Sequence, residues 1–238
     1  MAPVILDPQK TRLPMLKRRN SPLFYFLKGM YENRSKENIL KRLRKAPLPA
    51  WDFNPELLAD PFNGFEQPDS LIDFFLSRLE AVKGFGAVID GAFEFAGYLK
   101  ALQVENQWPG VFCAIPELKN ELKLMGVGLV DQEPQSGSNW VAVTSCEALV
   151  ALTGSVMVSS RSGPGRRVHA GPETHIVYAG MSQLRSSIVE AYREIADNGR
   201  PSWIGLITGP SRTADIEKTL VLGAHGPKNL MVFIDRTL

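Results

Sequence analysis

Residues Trp203–His225 read WIGLITGPSRTADIEKTLVLGAH. An apolar run (Trp203, Ile204, Leu206, Ile207) breaks at Thr208-Gly209-Pro210, and a cluster suited to a helix start follows at once. Ser211 or Thr213 can accept from free N–H groups of a first turn, and Asp215 suits the positive end of a helix dipole. Gly223 is placed to stop such a helix, and Leu230–Ile234 supplies another short apolar run. The stretch therefore predicts a strand, a tight glycine turn, a helix and a further strand. In an open parallel sheet the crevice beyond such a turn is where ligands bind.

Working outward, the same alternation fills most of the chain. Asp69 or Ser70 can cap a helix carrying Leu71, Ile72, Phe75, Leu76, Leu79 and Val82, ended by Gly84. Ala87–Ile89, Val111–Ala114, Trp140–Val143, Ser155–Ser159 and Thr174–Tyr178 read as strands. Helices are expected over Phe93–Val104, after Pro116, over Ser145–Leu152 and over Gln183–Asn198. Strands alternating with helices predict an α/β domain with a mainly parallel sheet flanked by helices.

The 238 residues carry a net charge of only +2, but it is unevenly spread. Residues 1–45 hold 12 Lys/Arg and 3 Asp/Glu, a surplus of +9; of the totals of 27 and 25, this leaves 15 basic and 22 acidic residues, or −7, for the rest. Residues 1–34 read as a basic mobile arm, 35–68 as a short basic helix and linker, and 69–238 as the α/β domain. In SKENILKRLRK (Ser35–Lys45), Ile39, Leu40 and Leu43 share one face among basic residues. Such a helix can meet an acidic partner or nucleic acid, or can pack on its own domain or a second subunit, which leaves homo-oligomerisation open. Nucleic acid is the less favoured, because no aromatic residues interleave the charges. The longest apolar stretch near the N-terminus, Pro22–Leu27, is far short of the roughly 20 residues of a membrane span and of a signal-peptide core, so a cytoplasmic location is expected.

Two cysteines, Cys113 and Cys146, make neither a disulfide framework nor a CxxC motif, and they cannot supply four thiolates to an iron–sulfur cluster. His169, His175 and His225 fall on separate elements without metal-ligand spacing, so no metal site is expected. Three glycine-bearing segments remain as candidates for binding chemistry. Leu152-Thr153-Gly154-Ser155 lies at a predicted helix-to-strand junction, where Gly154 can equally be a C-cap. Ser159–Arg167, followed by His169, is dense in donors and positive charge. Its arginines can fork onto carboxylate or phosphate, or can stand solvated on an exposed turn. In Thr208–Asp215, backbone N–H groups after Gly209, the Ser211 and Thr213 hydroxyls and Arg212 can hold an anion, although neither GxxxxGK[ST] nor GxGxxG is present. GxSxG is also absent, and no catalytic residue is assigned.

TGPSRTADIE (Thr208–Glu217) followed by LVLGAHGP (Leu220–Pro227) resembles the C-terminal signature of the lactate utilization protein C family, the LUD domain. TGS (Thr153–Ser155), GPGRR (Gly163–Arg167), HIVYA (His175–Ala179) and SKENILKRLRKA (Ser35–Ala46) match in the family's order, so the resemblance spans about Ser35–Leu238. It implies a fold like ribose-5-phosphate isomerase, glucosamine-6-phosphate deaminase and the CoA transferases. It also implies a role beside iron–sulfur partner proteins in oxidising L-lactate to pyruvate, with this chain as the cluster-free, accessory or regulatory component. Many relatives carry ETGT where this chain has Leu152-Thr153-Gly154-Ser155, so any role of that acid does not transfer. The expected ligand-binding set is Gly209, Ser211, Arg212, Thr213 and Asp215, with Arg166 and Arg167 closing over it and Gly154 and Ser155 beside it. No cofactor is expected in this chain. The alternative is a stand-alone enzyme or binding protein for a phosphorylated, CoA-like or nucleotide-like molecule.

Overall fold

The computed structural model describes residues 36–45, 70–134, 140–163, 165–199, 201–214, 220–222 and 226–238. The expected arm (1–34) and linker lie outside them. The chain divides into two units, Met1–Pro55 and Glu56–Leu238. Within the first, residues 36–45 form helix α1, whose ten residues are all exposed, Ile39, Leu40 and Leu43 among them.

In the second unit, Ser70 caps α2 (Leu71–Ala81) by accepting from Asp73 N at 3.3 Å, and Phe75 and Leu79 are wholly buried. Each such burial stabilises the fold by about 1.5–3 kcal/mol. Next come β1 (Phe85–Ile89), α3 (Ala92–Glu105), β2 (Val111–Cys113), a 3-10 turn at Pro116–Leu118 and α4 (Lys119–Leu124). Then follow β3 (Val141–Thr144), β4 (Ala148–Val150), a 3-10 turn at Ala151–Thr153, β5 (Ser155–Ser159), α5 (Arg166–Ala170) and β6 (Thr174–Gly180). A 3-10 turn at Met181–Gln183 leads to β7 (Leu184–Arg185), α6 (Ile188–Asp197), β8 (Ile204–Ile207), β9 (Arg212–Ala214), β10 (Leu220–Leu222) and β11 (Asn229–Asp235).

β1, β11, β6, β3 and β2 lie in that order in one sheet, every neighbouring pair parallel. One face packs on α3 and α4 through Phe95, Leu99, Leu122 and Phe233. The other face, with Val177, Leu230, Val232 and Ile234, meets α2 and a second, mixed sheet in the order β7-β4-β5-β8. Helix α6 covers the outer side of that sheet, Ala191 and Ile195 packing on Ala148, Val150 and Met157. The expected α/β class with a mainly parallel, helix-flanked sheet is what is observed. The second sheet is an addition to it.

Three expectations are corrected. In place of the helix expected from Ser211 or Thr213 to Gly223, the described residues Arg212–Ala214 and Leu220–Leu222 pair as the antiparallel strands β9 and β10. The preceding apolar run is β8, which runs antiparallel to β5 in the mixed sheet rather than joining the parallel one. Ser145–Leu152 is not a helix either: Ala148–Val150 is β4, antiparallel to β5, with a 3-10 turn after it. In addition, the helix expected over Gln183–Asn198 starts later, at Ile188, because Leu184–Arg185 pairs with Leu149–Val150. Ser187 supplies its cap by accepting from Glu190 N at 3.2 Å.

Candidate functional site

In open α/β sheets, ligands bind in the crevice outside the carboxyl ends of the parallel strands. Here the loops after β2 and β3 meet the loop after β5. A cavity of about 410 Å³ opens between them, with Ile115, Glu117, Ser145, Glu147, Arg161 and Gly163 in its wall. A neighbouring cavity of about 380 Å³ shares Ile115, Glu117 and Ser145 and adds Glu121, Tyr178 and Gln183.

The loop after β5 is held rather than free. Ser162 Oγ accepts from Ser159 N at 2.7 Å and donates to Ser159 O at 3.1 Å. Glu147 accepts a short hydrogen bond from Ser159 Oγ and pairs with Arg161 Nη2 at 3.4 Å. Arg161 Nη1 also donates to Asn198 O and Gly199 O, both at 2.9 Å, at the C-terminal end of α6 where the helix dipole is negative. Against the single Arg161 the first cavity sets Glu117 and Glu147, and the second adds Glu121. Such a wall repels a small anion and suits uncharged polar groups.

On the other side of the β3 carboxyl end, Asp235 gathers hydrogen bonds from Tyr178 Oη, Gly91 N at 3.1 Å, Thr237 N at 2.8 Å and Thr237 Oγ1 at 2.7 Å. Burial pushes this carboxyl upward, and the donors outweigh it, holding the pKa below its usual value. Tyr178 moves the other way: its burial, and then Asp235, raise the phenol well above its ordinary range. The group fixes the start of α3 to the end of β11.

Two histidines lie between the sheets. His175, on β6, is wholly buried and sits 2.8 Å from Thr144 Oγ1 through Nε2. His169, on α5, is 3% exposed, and its ring centroid is 5.6 Å from that of His175 and 5.8 Å from Trp203. Arg166 places its guanidinium 5.5 Å from the Trp203 ring on the outer side. Burial, joined by the neighbouring His169, brings His175 down to about 3, and burial lowers His169 as well. Both rings are therefore neutral near pH 7. They fall on the consecutive elements α5 and β6, and the seating of α5 brings the two rings together. The one signal present was the spacing His175, Val177, Ala179, which puts His175 on an inward position of its strand.

The expected binding residues are distributed as follows. Gly154 and Ser155 stand next to Thr208 and Gly209, with Ser155 Oγ and Thr208 Oγ1 2.8 Å apart. Both glycines have positive φ and press on the C-terminal end of α2. A Cβ on Gly154 would lie 2.7 Å from Arg78 O, and one on Gly209 would lie 2.2 Å from Val82 O. Ser211 N donates to Pro227 O at 2.8 Å. The main chains of Arg212 and Thr213 belong to β9, and Asp215 lies outside the described residues. Arg166 and Arg167 do not sit in an open loop; they begin α5, and Arg167 pairs with Glu133 and donates to Pro134 O at 2.9 Å. They lie toward the Ser159 end of β5, about 13 Å of strand from Ser155. The structure thus joins the first and third segments and separates them from the second. Glu147, in the cavity wall, and the buried His169 and His175 are residues that the expected binding set does not contain.

An α/β unit with a crevice at the carboxyl edge of its parallel sheet defines the class, and the LUD domain family matches residues 133–234 of it. Lactate utilization protein C of Geobacillus thermodenitrificans is 30% identical over 235 residues, covering 84% of this chain and 95% of the relative. Its namesake from Geobacillus kaustophilus is 29% identical over 233 residues, with the same two coverages. The chain belongs to the lactate utilization protein C family of LUD-domain proteins. Among solved structures, a DUF162 family protein from Deinococcus radiodurans aligns with a TM-score of 0.50 and 21% identity, over 71% of this chain and 99% of that one, a likeness of fold.

Proposed function

We propose that this protein is the cluster-free component of a lactate-utilization system, working beside iron–sulfur partner proteins that oxidise L-lactate to pyruvate. We further propose that its crevice at the carboxyl edge receives a small polar ligand. The observation that carries the role is the near end-to-end match to lactate utilization protein C, 95% of the relative's length at 30% identity. The placement of clusters on partners is supported by the chemistry of the two thiols. Cys113 and Cys146 are buried on different elements, and burial raises both pKa values, which opposes the thiolate form that cluster ligation needs. The crevice is favoured over the Gly209 turn because that turn faces the carbonyl-bearing end of α2, whose partial negative charge opposes an anion.

The test is genetic. A strain lacking this protein is expected to lose growth on L-lactate as sole carbon source while growing normally on pyruvate, with growth restored by the full chain. Undiminished growth on L-lactate would refute the role. Restoration by wild type but not by Glu147→Gln or Gly163→Val would support the crevice.

A further inference from the structure

The cavity wall comes close to the buried histidines at two points. Gly163 lines the cavity, and a Cβ on it would lie 3.1 Å from His169 Nε2. Thr144, bonded to His175, donates its own hydroxyl hydrogen to the carbonyl of Ser145, 3.0 Å away, and Ser145 also lines the cavity. Because that hydrogen is committed to Ser145, His175 Nε2 must be the donor to Thr144 Oγ1. His175 Nδ1 is left as a lone-pair acceptor. It has no protein partner among the described residues, and neither does either nitrogen of His169. Buried groups of this kind need partners, since an unsatisfied one is destabilising by an amount comparable to a lost hydrogen bond.

We propose that His169 and His175 form the inner wall of a ligand subsite, reached past Gly163, that takes the hydroxyl group of a small alcohol-bearing molecule. A neutral imidazole pair with one tautomer fixed presents two lone pairs and one N–H. A hydroxyl both donates and accepts within the space of a single oxygen, and so answers both rings. A carboxylate or phosphate only accepts, and would bring a charge against lone pairs in a dry site beside Glu117 and Glu147. An ammonium only donates, and would leave the imidazole N–H unmet. The subsite rests on assigning the carboxyl-edge cavity as the ligand crevice, and it names the chemistry that crevice selects.

The test uses the full chain labelled with ¹⁵N, observing the ring nitrogens of His169 and His175 by long-range proton–nitrogen correlation. Glycerol, uncharged, is the alcohol probe suited to the acidic wall, L-lactate tests whether a hydroxyl carried by an anion also enters, and propionate, which is lactate without its hydroxyl, serves as the control. At least one alcohol is expected to move the His175 Nδ1 resonance saturably, with propionate moving neither ring. Gly163→Ala, on an ordinary backbone conformation, is expected to weaken that binding at least fivefold without altering the spectrum elsewhere. Ring nitrogens that both alcohols leave unmoved would overturn the subsite, as would an equal response to propionate. Because the role in lactate growth is read in cells, a chain that restores growth but gives no ring response refutes the subsite alone.

Discussion

Ser155 and Thr208 face each other hydroxyl to hydroxyl at 2.8 Å, across the point where β5 begins and β8 ends. Ser155 is wholly buried and lies 2.7 Å from Thr153 Oγ1 as well, so three hydroxyls from two sequence segments share one knot. Ser155→Ala removes its centre. The expected loss is about 1–2 kcal/mol of unfolding free energy, since Thr153 and Thr208 can turn partly to solvent. Urea denaturation of the variant checks it, and an unchanged midpoint would show the knot to be idle.

The two glycines with positive φ at Gly209 and Gly91 should respond unequally. Gly209 has φ +76° and backbone of Val82 against it, whereas Gly91 has φ +97° and open space around its Cβ position. Alanine at Gly91 (φ 97°, ψ 168°) meets backbone strain alone, about 1–3 kcal/mol. Alanine at Gly209 must also push the end of α2 away, and a loss of at least about 3 kcal/mol is expected. Equal losses in parallel thermal melts would mean that α2 yields freely.

Acid should weaken the fold before its carboxylates begin to titrate. His175 falls to about 3 in the native state and His169 is lowered too, while an unfolded histidine titrates near 6.5. Below that unfolded pKa the open chain binds more protons than the native one, so stability drops as pH falls. The stability is fully present above about pH 6.5. Between about pH 6.5 and 4.5 the slope should approach on the order of 1.4 kcal/mol per pH unit for each histidine fully engaged. Denaturant titrations at several pH values measure it, and His175→Gln should flatten the dependence.

Glu147 ties the loop after β5 to the loop after β3. Glu147→Gln keeps the shape but removes the charge that Ser159 and Arg161 address. Amide exchange at Arg161 and Ser162 is expected to quicken about tenfold, with core amides of β6 unchanged. Uniform acceleration across the domain would point to global destabilisation instead.

Arg185 forks onto Glu194 through Nε, 2.5 Å from Oε2, and Nη2, 2.7 Å from Oε1, and joins β7 to α6. That hydrogen bonding raises Arg185 and lowers Glu194. Glu194 is nearly half exposed, so solvent screening limits the pair. Arg185→Lys, which cannot fork, should lower stability by about 0.5–1 kcal/mol, less in high salt. Melts at two salt concentrations separate the charge from the packing.

Much of the parallel sheet was legible because its elements announce themselves locally. Ser70 before an apolar-periodic run marks α2, and the strand read over Thr174–Tyr178 falls on β6 with its start at the same residue. The mixed sheet was harder. Ala148–Val150 is buried on two faces, between the parallel sheet and α6, so it shows no alternation and resembles a short helix. Residues 211–222 carry a well-formed helix-start signal, yet Arg212–Ala214 pairs with Leu220–Leu222, where strand partnership overrides local preference. The crevice was legible in part: the donor-rich Ser159–Gly163 loop was noticed, but not Glu147, which meets it from twelve residues away, nor the imidazole pair, which only tertiary pairing creates.

Every residue of β5 is buried, with Val156 and Val158 facing the parallel sheet and Met157 facing α6. Because both faces are greasy, sliding this strand by one residue would exchange apolar side chains for apolar side chains, and hydrophobicity alone would scarcely oppose it. The opposition comes from the serines at its two ends. Ser155 finds hydroxyls at one end and Ser159 finds Glu147 at the other, and a slip would strand both. The pairing register of the central strand is thus written in two polar end-marks, and a double replacement of those serines by alanine would leave the strand stable in composition but ambiguous in alignment.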